Sequence, residues 1–420
     1  MAPRERWLRV GGTVAFLAVV VGLAIACVHR DGDMDGFIEV GELILQGKHA
    51  YADARPGINT WPPVFGLLCV PIALLARVSL PLTHVLWLGA NVVVLLAVLR
   101  LLVRIVYRRT LVIRPWRDGV PLASASVLVP VFIAQAGVAG NFYHLQVNLF
   151  VFGITLGGLA LAARGRSAAG GVALGIAAGI RVMPIVFVPY LLWRRQWKTA
   201  FVAGCVALIV FVSPVLVYGP EVFTDYVGSW RAAVTGGWDV GYMNQSLQAM
   251  VDRFVGHGFV PFASEPANHL AWSGNVAVAW AVRLALAATA LAALWLFRGR
   301  MRPGGWVALV EWSVVYIVSA VMGPVCWKAY LVVLVLPLFL LFGIARSPVQ
   351  TRASRILATV LLAVTFVLLA LPSSDLVGSW IAHQFEMGST FTIGCLLLLV
   401  GLFWLRPRVL EPDDAPAEPS

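Results

Sequence analysis

Charge is scarce in this sequence. Asp, Glu, Lys and Arg make up 12% of its 420 residues, 60% are hydrophobic, and the mean hydropathy is +0.86. A water-soluble domain this apolar has no means of covering its surface. Cysteine is also sparse. The five present, Cys27, Cys69, Cys205, Cys326 and Cys395, are scattered and show no metal or redox spacing. Lying mostly within apolar runs, they read as packing residues. There is no P-loop, dinucleotide fingerprint, zinc spacing or nucleophile elbow. Nothing therefore points to a soluble nucleotide as a group donor, and no cofactor is expected. The formal charge of +11 is spread in short blocks between apolar runs. That distribution speaks of membrane orientation and not of nucleic acid.

What is present is a series of apolar runs, several reaching the roughly 18–20 residues that span a bilayer. The first covers about residues 8–28, after Arg4, Arg6 and Arg9, and it is too long for a cleavable signal peptide. The positive-inside rule makes the N-terminus cytoplasmic. Later spans are expected near residues 83–107, 121–139, 149–163, 200–218, 271–297, 304–321, 331–344, 356–371 and 391–405. The apolar piece 63–78 is interrupted by Pro71 and reads as half-buried on the outer face. If it crossed, the arginines from Arg100 to Arg117 would fall outside, against the charge rule. The stretch 170–193 has arginines at both ends and Arg181-Val-Met-Pro184 in its middle. Two half-helices meeting at a break fit both facts, with Arg181 facing a cavity. The topology has about ten crossings plus one re-entrant pair. It puts most of the 31 Lys and Arg inside and most of the 20 Asp and Glu outside.

The expected fold class is therefore an all-α polytopic membrane protein. Residues 1–408 form one integral-membrane domain, with outer loops at 29–81 and 219–270, and 409–420 read as a disordered cytoplasmic tail.

Five groups of residues stand out on the outer side or in the broken pair. Asp31, Asp33 and Asp35 follow the first span directly, with Glu39 close behind. Carboxylates concentrated at a membrane boundary imply function, since a base must take the acceptor proton in a sugar transfer. The bland alternative is that they cap an amphipathic helix over 36–46. His144, Gln146 and Asn148 sit at a tip between spans and suit hydrogen bonds to sugar hydroxyls, although hairpin tips are commonly polar. Arg181 suits a lipid phosphate; otherwise it is half of a structural ion pair, with Glu311 a candidate. Trp327, Lys328 and Tyr330 end a span, where lysine could bind phosphate and tryptophan could stack on a sugar, or both could belong to the interfacial belt. Asn244-Gln245-Ser246 is either a glycosylation sequon or part of a site wall. Arg283 and Glu311 read as buried structural charges.

Taken in order, several stretches resemble glycosyltransferase family 87, the polyprenyl-phosphate-mannose-dependent α-mannosyltransferases of the GT-C superfamily. They are the acidic first loop with Gly47, Tyr51 and Trp61-Pro62-Pro63; His144 to Asn148; Gly171 to Pro184; Asn244-Gln245-Ser246; and Pro324-Val-Cys326-Trp327. The resemblance implies a GT-C-type fold, an outward-facing site, a polyprenyl-phospho-sugar donor and a glycan or glycolipid acceptor. It also implies inversion at the sugar carbon and a first-loop Asp as general base. Asp33 best matches that Asp, Asp31 completes a D-x-D pattern, and Asp35 is a rival. The family's Gly-Gln-x-Asn corresponds to Leu145 to Asn148, its Lys-x-x-Pro to Arg181 to Pro184, and its Pro-x-Ser-Trp to Pro324 to Trp327. Trp61 replaces the usual tyrosine before the two prolines, and the common histidine after the last tryptophan is absent. The catalytic set implied is Asp33, Asp35 and Asp31. Glu39, Trp61, His144, Gln146, Asn148, Arg181, Asn244, Gln245, Trp327, Lys328 and Tyr330 form the substrate-binding set, and no metal is expected. A D-x-D pair can nonetheless hold a divalent cation. A transporter or flippase built on the broken helices is the competing reading, and an inert scaffold the third.

Overall fold

A computed structural model describes residues 3–411, apart from 56–58, 60, 114–117, 236–238, 261, 263 and 264. The tail expected over 409–420 thus lies outside the described residues from 412 onward. The regular structure of the described residues is helical, apart from a two-residue parallel pairing of Leu111–Val112 with Val120–Pro121. Among the described residues, five helices are long and apolar enough to cross a membrane: Leu80–Val106, Trp197–Tyr218, Val276–Leu296, Lys328–Arg346 and Arg352–Ala370. Two bent pairs, ending at Tyr143 and Leu405, raise the number to as many as seven. The remaining expected spans coincide with shorter apolar helices, Val10–Ala26, Asn148–Ala163 and Trp306–Val321. The protein is an all-α, multi-pass membrane protein.

The chain divides into two compact units. One comprises Ala15–Val98 and Ala139–Gly236. After its leading apolar helix comes the helix Asp33–Leu45, which begins three residues earlier than the spacing from Gly36 implied. Phe37 is fully buried on its inner face. The Phe37 ring lies 4.8 Å from Trp61, 4.9 Å from Phe65 and 5.6 Å from Trp87 by centroids. This aromatic knot ties the helix Asp33–Leu45 to the helix Pro63–Val78, where Trp61-Pro62-Pro63 makes the entry turn. Pro63 suits that place because the first helical N–H needs no partner. Glu42 and Arg77 add a surface ion pair between the two helices, with one N···O distance of 2.5 Å.

The expected break at Arg181 is present. The helix Ser167–Ile180 ends there, Arg181 itself is extended, and the chain restarts as a tight turn over Met183–Val186 and a helix over Phe187–Trp193. Pro184 has no N–H to continue the ladder and would clash with the preceding turn, so the helix stops. Gly171, Gly175 and Gly179 line one face of the first half-helix against Trp197–Val212. A Cβ added at Gly171 would stand 2.7 Å from the Thr199 carbonyl oxygen, and one at Gly175 would stand 2.6 Å from the Val206 Cβ. Small residues every fourth position let helices approach closely where lipid supplies no hydrophobic drive.

The other unit comprises Met1–Val14, Leu99–Val138 and Gly237–Ser420. Its most enclosed helix is Lys328–Arg346. The Trp306 indole N–H donates to the Val106 carbonyl at 2.9 Å, and the Tyr107 hydroxyl donates to the Ser126 and Phe339 carbonyls at 3.0 and 3.2 Å. Glu311 is buried, as expected, but its partner is Arg406, with Nη2···Oε1 at 2.8 Å. Arg283 is not a buried charge. It is exposed on its helix, with the guanidinium 5.2 Å from the Trp280 ring centroid.

Candidate active site

In the unit containing the first loop, the three clustered aspartates have different surroundings. Asp31 is exposed, Asp35 is half-buried, and only Asp33 is drawn into a polar group. The helix cap is Gly32, which has no side chain to offer the free N–H groups, so Asp33 and Asp35 occupy the first turn and are not the capping residues. The Asp33 N–H donates to the His144 carbonyl at 2.9 Å. Gly32 is required for that approach, because a Cβ there would stand 2.7 Å from the same oxygen.

The tip between Tyr143 and Asn148 is wound so that it reaches Asp33. Leu145 adopts a left-handed conformation with φ of 51°, and the Gln146 N–H donates back to the Asn141 carbonyl at 2.9 Å. Asn141 is fully buried and its side-chain oxygen accepts the Leu149 N–H at 3.0 Å, starting the next helix. Gln146 hydrogen-bonds the Asp33 carboxyl through its side chain. The Gln146 Oε1 in turn accepts from Asn148 Nδ2 at 2.8 Å. Gln146 and Asn148 are both buried, whereas the His144 side chain is exposed.

Electrostatics single out the same carboxyl. Protein crowds Asp33 closely enough that desolvation pushes its pKa up to about 6. The nearby Arg181 guanidinium and the Gln146 hydrogen bond pull the other way, which limits the rise. A half-shielded carboxylate poised near neutrality beside a cation is the usual setting of a general base.

Other expected site residues make contacts of their own. The Glu39 carboxylate accepts from the Arg55 N–H at 2.8 Å and from Arg55 Nε at 2.5 Å, closing the loop onto its helix. Trp61 is buried in the aromatic knot, and its carbonyl accepts the Tyr51 hydroxyl at 2.7 Å.

In the second unit, Asn244 is almost wholly buried and its amide ties two loops together. It donates to the carbonyls of Asp239 and Pro324 at 2.9 and 3.1 Å and accepts the Cys326 N–H at 3.0 Å. That burial removes the sequon reading. Gln245 Nε2 donates to the Tyr242 and Glu386 carbonyls, both at 2.7 Å. Trp327 is half-buried, Tyr330 is buried, and Lys328 Nζ lies 2.9 Å from Glu386 Oε1. Among the described residues, no group of three or more His, Cys, Asp or Glu stands where it could hold a metal ion.

The model of glycosyltransferase family 87 matches residues 59–324, more than half of the chain. This chain belongs to glycosyltransferase family 87. Its membership makes it a membrane glycosyltransferase. The family match begins after the Asp31–Asp35 cluster and ends before Lys328. No curated protein matches the chain. Two solved structures of ArnT from Cupriavidus metallidurans are similar to it, one bound to undecaprenyl phosphate and one in the apo state. Each is 16% identical over 93% of this chain and 77% of that chain, with a TM-score of 0.40.

Sequence reasoning missed Glu386, Arg253 and Gly32. Arg253 is fully buried and donates to the Val240, Gly241 and Asn244 carbonyls at 2.8–2.9 Å and to the Ser389 hydroxyl at 2.6 Å. Burial pushes its pKa down to about 10 against the pull of Asp252 and Glu386, so it stays charged and pins the loop that carries Val240, Gly241 and Asn244. Glu386 carried a signal, as one of two acids, with Asp375, in the short polar break before the last apolar run.

Proposed function

We propose that this family 87 member transfers a sugar, mannose by family default, from a polyprenyl phosphate to a glycan or glycolipid acceptor on the outer face of the membrane, with inversion at the sugar carbon. The observation that carries this reading is the environment of Asp33, raised to about 6 and held between Gln146 and the influence of Arg181. Asp33 takes the acceptor hydroxyl proton as the oxygen attacks the anomeric carbon from the face opposite the phosphate. Arg181 neutralises charge gathering on the departing lipid phosphate. Gln146 fixes the Asp33 carboxyl, Asn148 fixes Gln146, and His144 offers its exposed imidazole to sugar hydroxyls. Both termini lie on the cytoplasmic side in this account, and the carrier lipid is drawn from the surrounding bilayer.

The test is transfer by the purified full-length protein. Radiolabelled polyprenyl-phospho-mannose and a crude membrane glycolipid extract are supplied, and the anomeric configuration of the product is read by NMR. Label in a new glycolipid with the anomer opposite to the donor's is the expected result. Retained configuration would remove the single-displacement mechanism. A silent enzyme across mannosyl, glucosyl and arabinosyl donors would remove the transferase reading.

A further inference from the structure

Glu386 lies outside the family match, near the end of the helix Ser379–Met387. Its side chain is 3% exposed. One carboxylate oxygen, Oε1, takes the Lys328 ammonium at 2.9 Å. The other, Oε2, is buried and has no hydrogen-bond partner among the described residues. The same holds for Oε1 of Gln245, which is fully buried and whose amide nitrogen donates to the Glu386 carbonyl at 2.7 Å. Two buried acceptors, one of them charged, are thus left without donors in one small region. An unsatisfied buried acceptor costs about 1–3 kcal/mol, more when charged, so native proteins rarely leave such groups empty. Lys328 supplies a complementary group. Its side chain is 32% exposed, and an ammonium has three N–H donors, of which Glu386 uses one.

We infer that Lys328, Glu386 and Gln245 form a sugar-hydroxyl recognition site in which Glu386 is the specificity-determining residue. A buried carboxylate oxygen calls for a hydroxyl donor, and an adjacent ammonium calls for an acceptor. A sugar hydroxyl does both, donating to Glu386 Oε2 while accepting from Lys328 Nζ, and a neighbouring hydroxyl donates to Gln245 Oε1. A phosphate would satisfy the lysine and be repelled by the carboxylate. A purely apolar group would satisfy neither. The Lys328–Glu386 pair therefore selects a neutral polyol, whether it belongs to the donor or to the acceptor. This assignment rests on the transferase reading and replaces the phosphate role that Lys328 alone suggests.

The test uses the full-length protein with Glu386→Gln, and Glu386→Asp as a second variant that keeps the charge but withdraws the carboxylate. Cooperative unfolding in detergent shows that each variant is folded. Polyprenyl-phospho-mannose and its singly deoxygenated analogues are compared as donors, and the glycolipid extract is titrated as acceptor. If the hydroxyl belongs to the donor, one deoxy analogue costs the wild type about tenfold or more in kcat/KM, and both variants lose that discrimination. If it belongs to the acceptor, the donor series is treated alike by wild type and variants. The variants then need about tenfold more extract for half-maximal transfer. An active wild type with variants that keep both its donor discrimination and its acceptor dependence overturns the inference, and a water molecule then fills the place. A wild type silent with every donor overturns the transferase reading itself.

Discussion

The N–H of Asp33 is held by the carbonyl of His144 at 2.9 Å, 111 residues further along the chain. This one bond docks the acidic first loop onto the polar tip that carries Gln146 and Asn148. Replacing Gly32 by alanine presses a methyl group against the same carbonyl oxygen, at 2.7 Å without relaxation. Neither partner is a flexible side-chain end, so backbone must shift. Gly32→Ala is expected to lower kcat by about tenfold to a hundredfold, as for other small misplacements of a reacting group. Steady-state kinetics of the folded variant measures it, and wild-type kcat would show that the docking bond is dispensable.

The Asp33 pKa of about 6 fixes a pH profile. The base must be ionised, so kcat/KM rises with pH through about 6 and levels off above it. Stability runs the other way. A carboxyl whose pKa is higher folded than unfolded favours the native state at low pH, and that contribution is lost as pH rises through the folded value. Asp33→Asn is therefore expected to be more stable than wild type at pH 8, by up to about 3 kcal/mol, and no more stable below pH ~4. Unfolding midpoints in detergent across that range decide it.

Arg181 and Gln146 both hold the Asp33 pKa down. Removing either must move the acid limb of the rate profile upward. Arg181→Gln is expected to shift the limb above 6 and to cut turnover roughly 10²-fold through loss of charge stabilisation. Gln146→Ala is expected to shift the limb with a smaller loss of turnover. A limb that stays in place in both variants would separate these side chains from the base.

Glu311 and Arg406 form a buried pair far in sequence from every site residue of the first loop. Removing one partner leaves an uncompensated buried charge. Glu311→Gln is expected to cost about 3–5 kcal/mol of stability. The half-saturating donor concentration of the surviving folded enzyme should stay unchanged, which thermal unfolding and donor titration test together.

Much of this arrangement was legible in the sequence. The helical membrane class followed from apolar run length, and the break at Arg181 followed from arginines at both ends of a run with Pro184 inside it. The polar tip at His144–Asn148 was visible because hydrogen-bonding side chains interrupt two apolar runs. Which aspartate matters was not visible from spacing alone. Asp31, Asp33 and Asp35 are chemically identical, and only the His144 contact and the crowding around Asp33 distinguish them. Partner choice was equally hidden. Glu39 with Arg55, Glu311 with Arg406 and Lys328 with Glu386 join residues 16, 95 and 58 positions apart. No local pattern encodes such distances, and so Glu386 escaped notice.

The most direct measurement is label transfer by four folded proteins: wild type, Asp31→Asn, Asp33→Asn and Asp35→Asn. Each would be assayed at pH 8 with the same polyprenyl-phospho-sugar and glycolipid extract. Loss of about a hundredfold or more in Asp33→Asn alone is the predicted result, with the other two within about tenfold of wild type. Near wild-type transfer by Asp33→Asn would contradict the assignment of the base, and loss in Asp35→Asn instead would move that role to the other carboxylate of the same first turn.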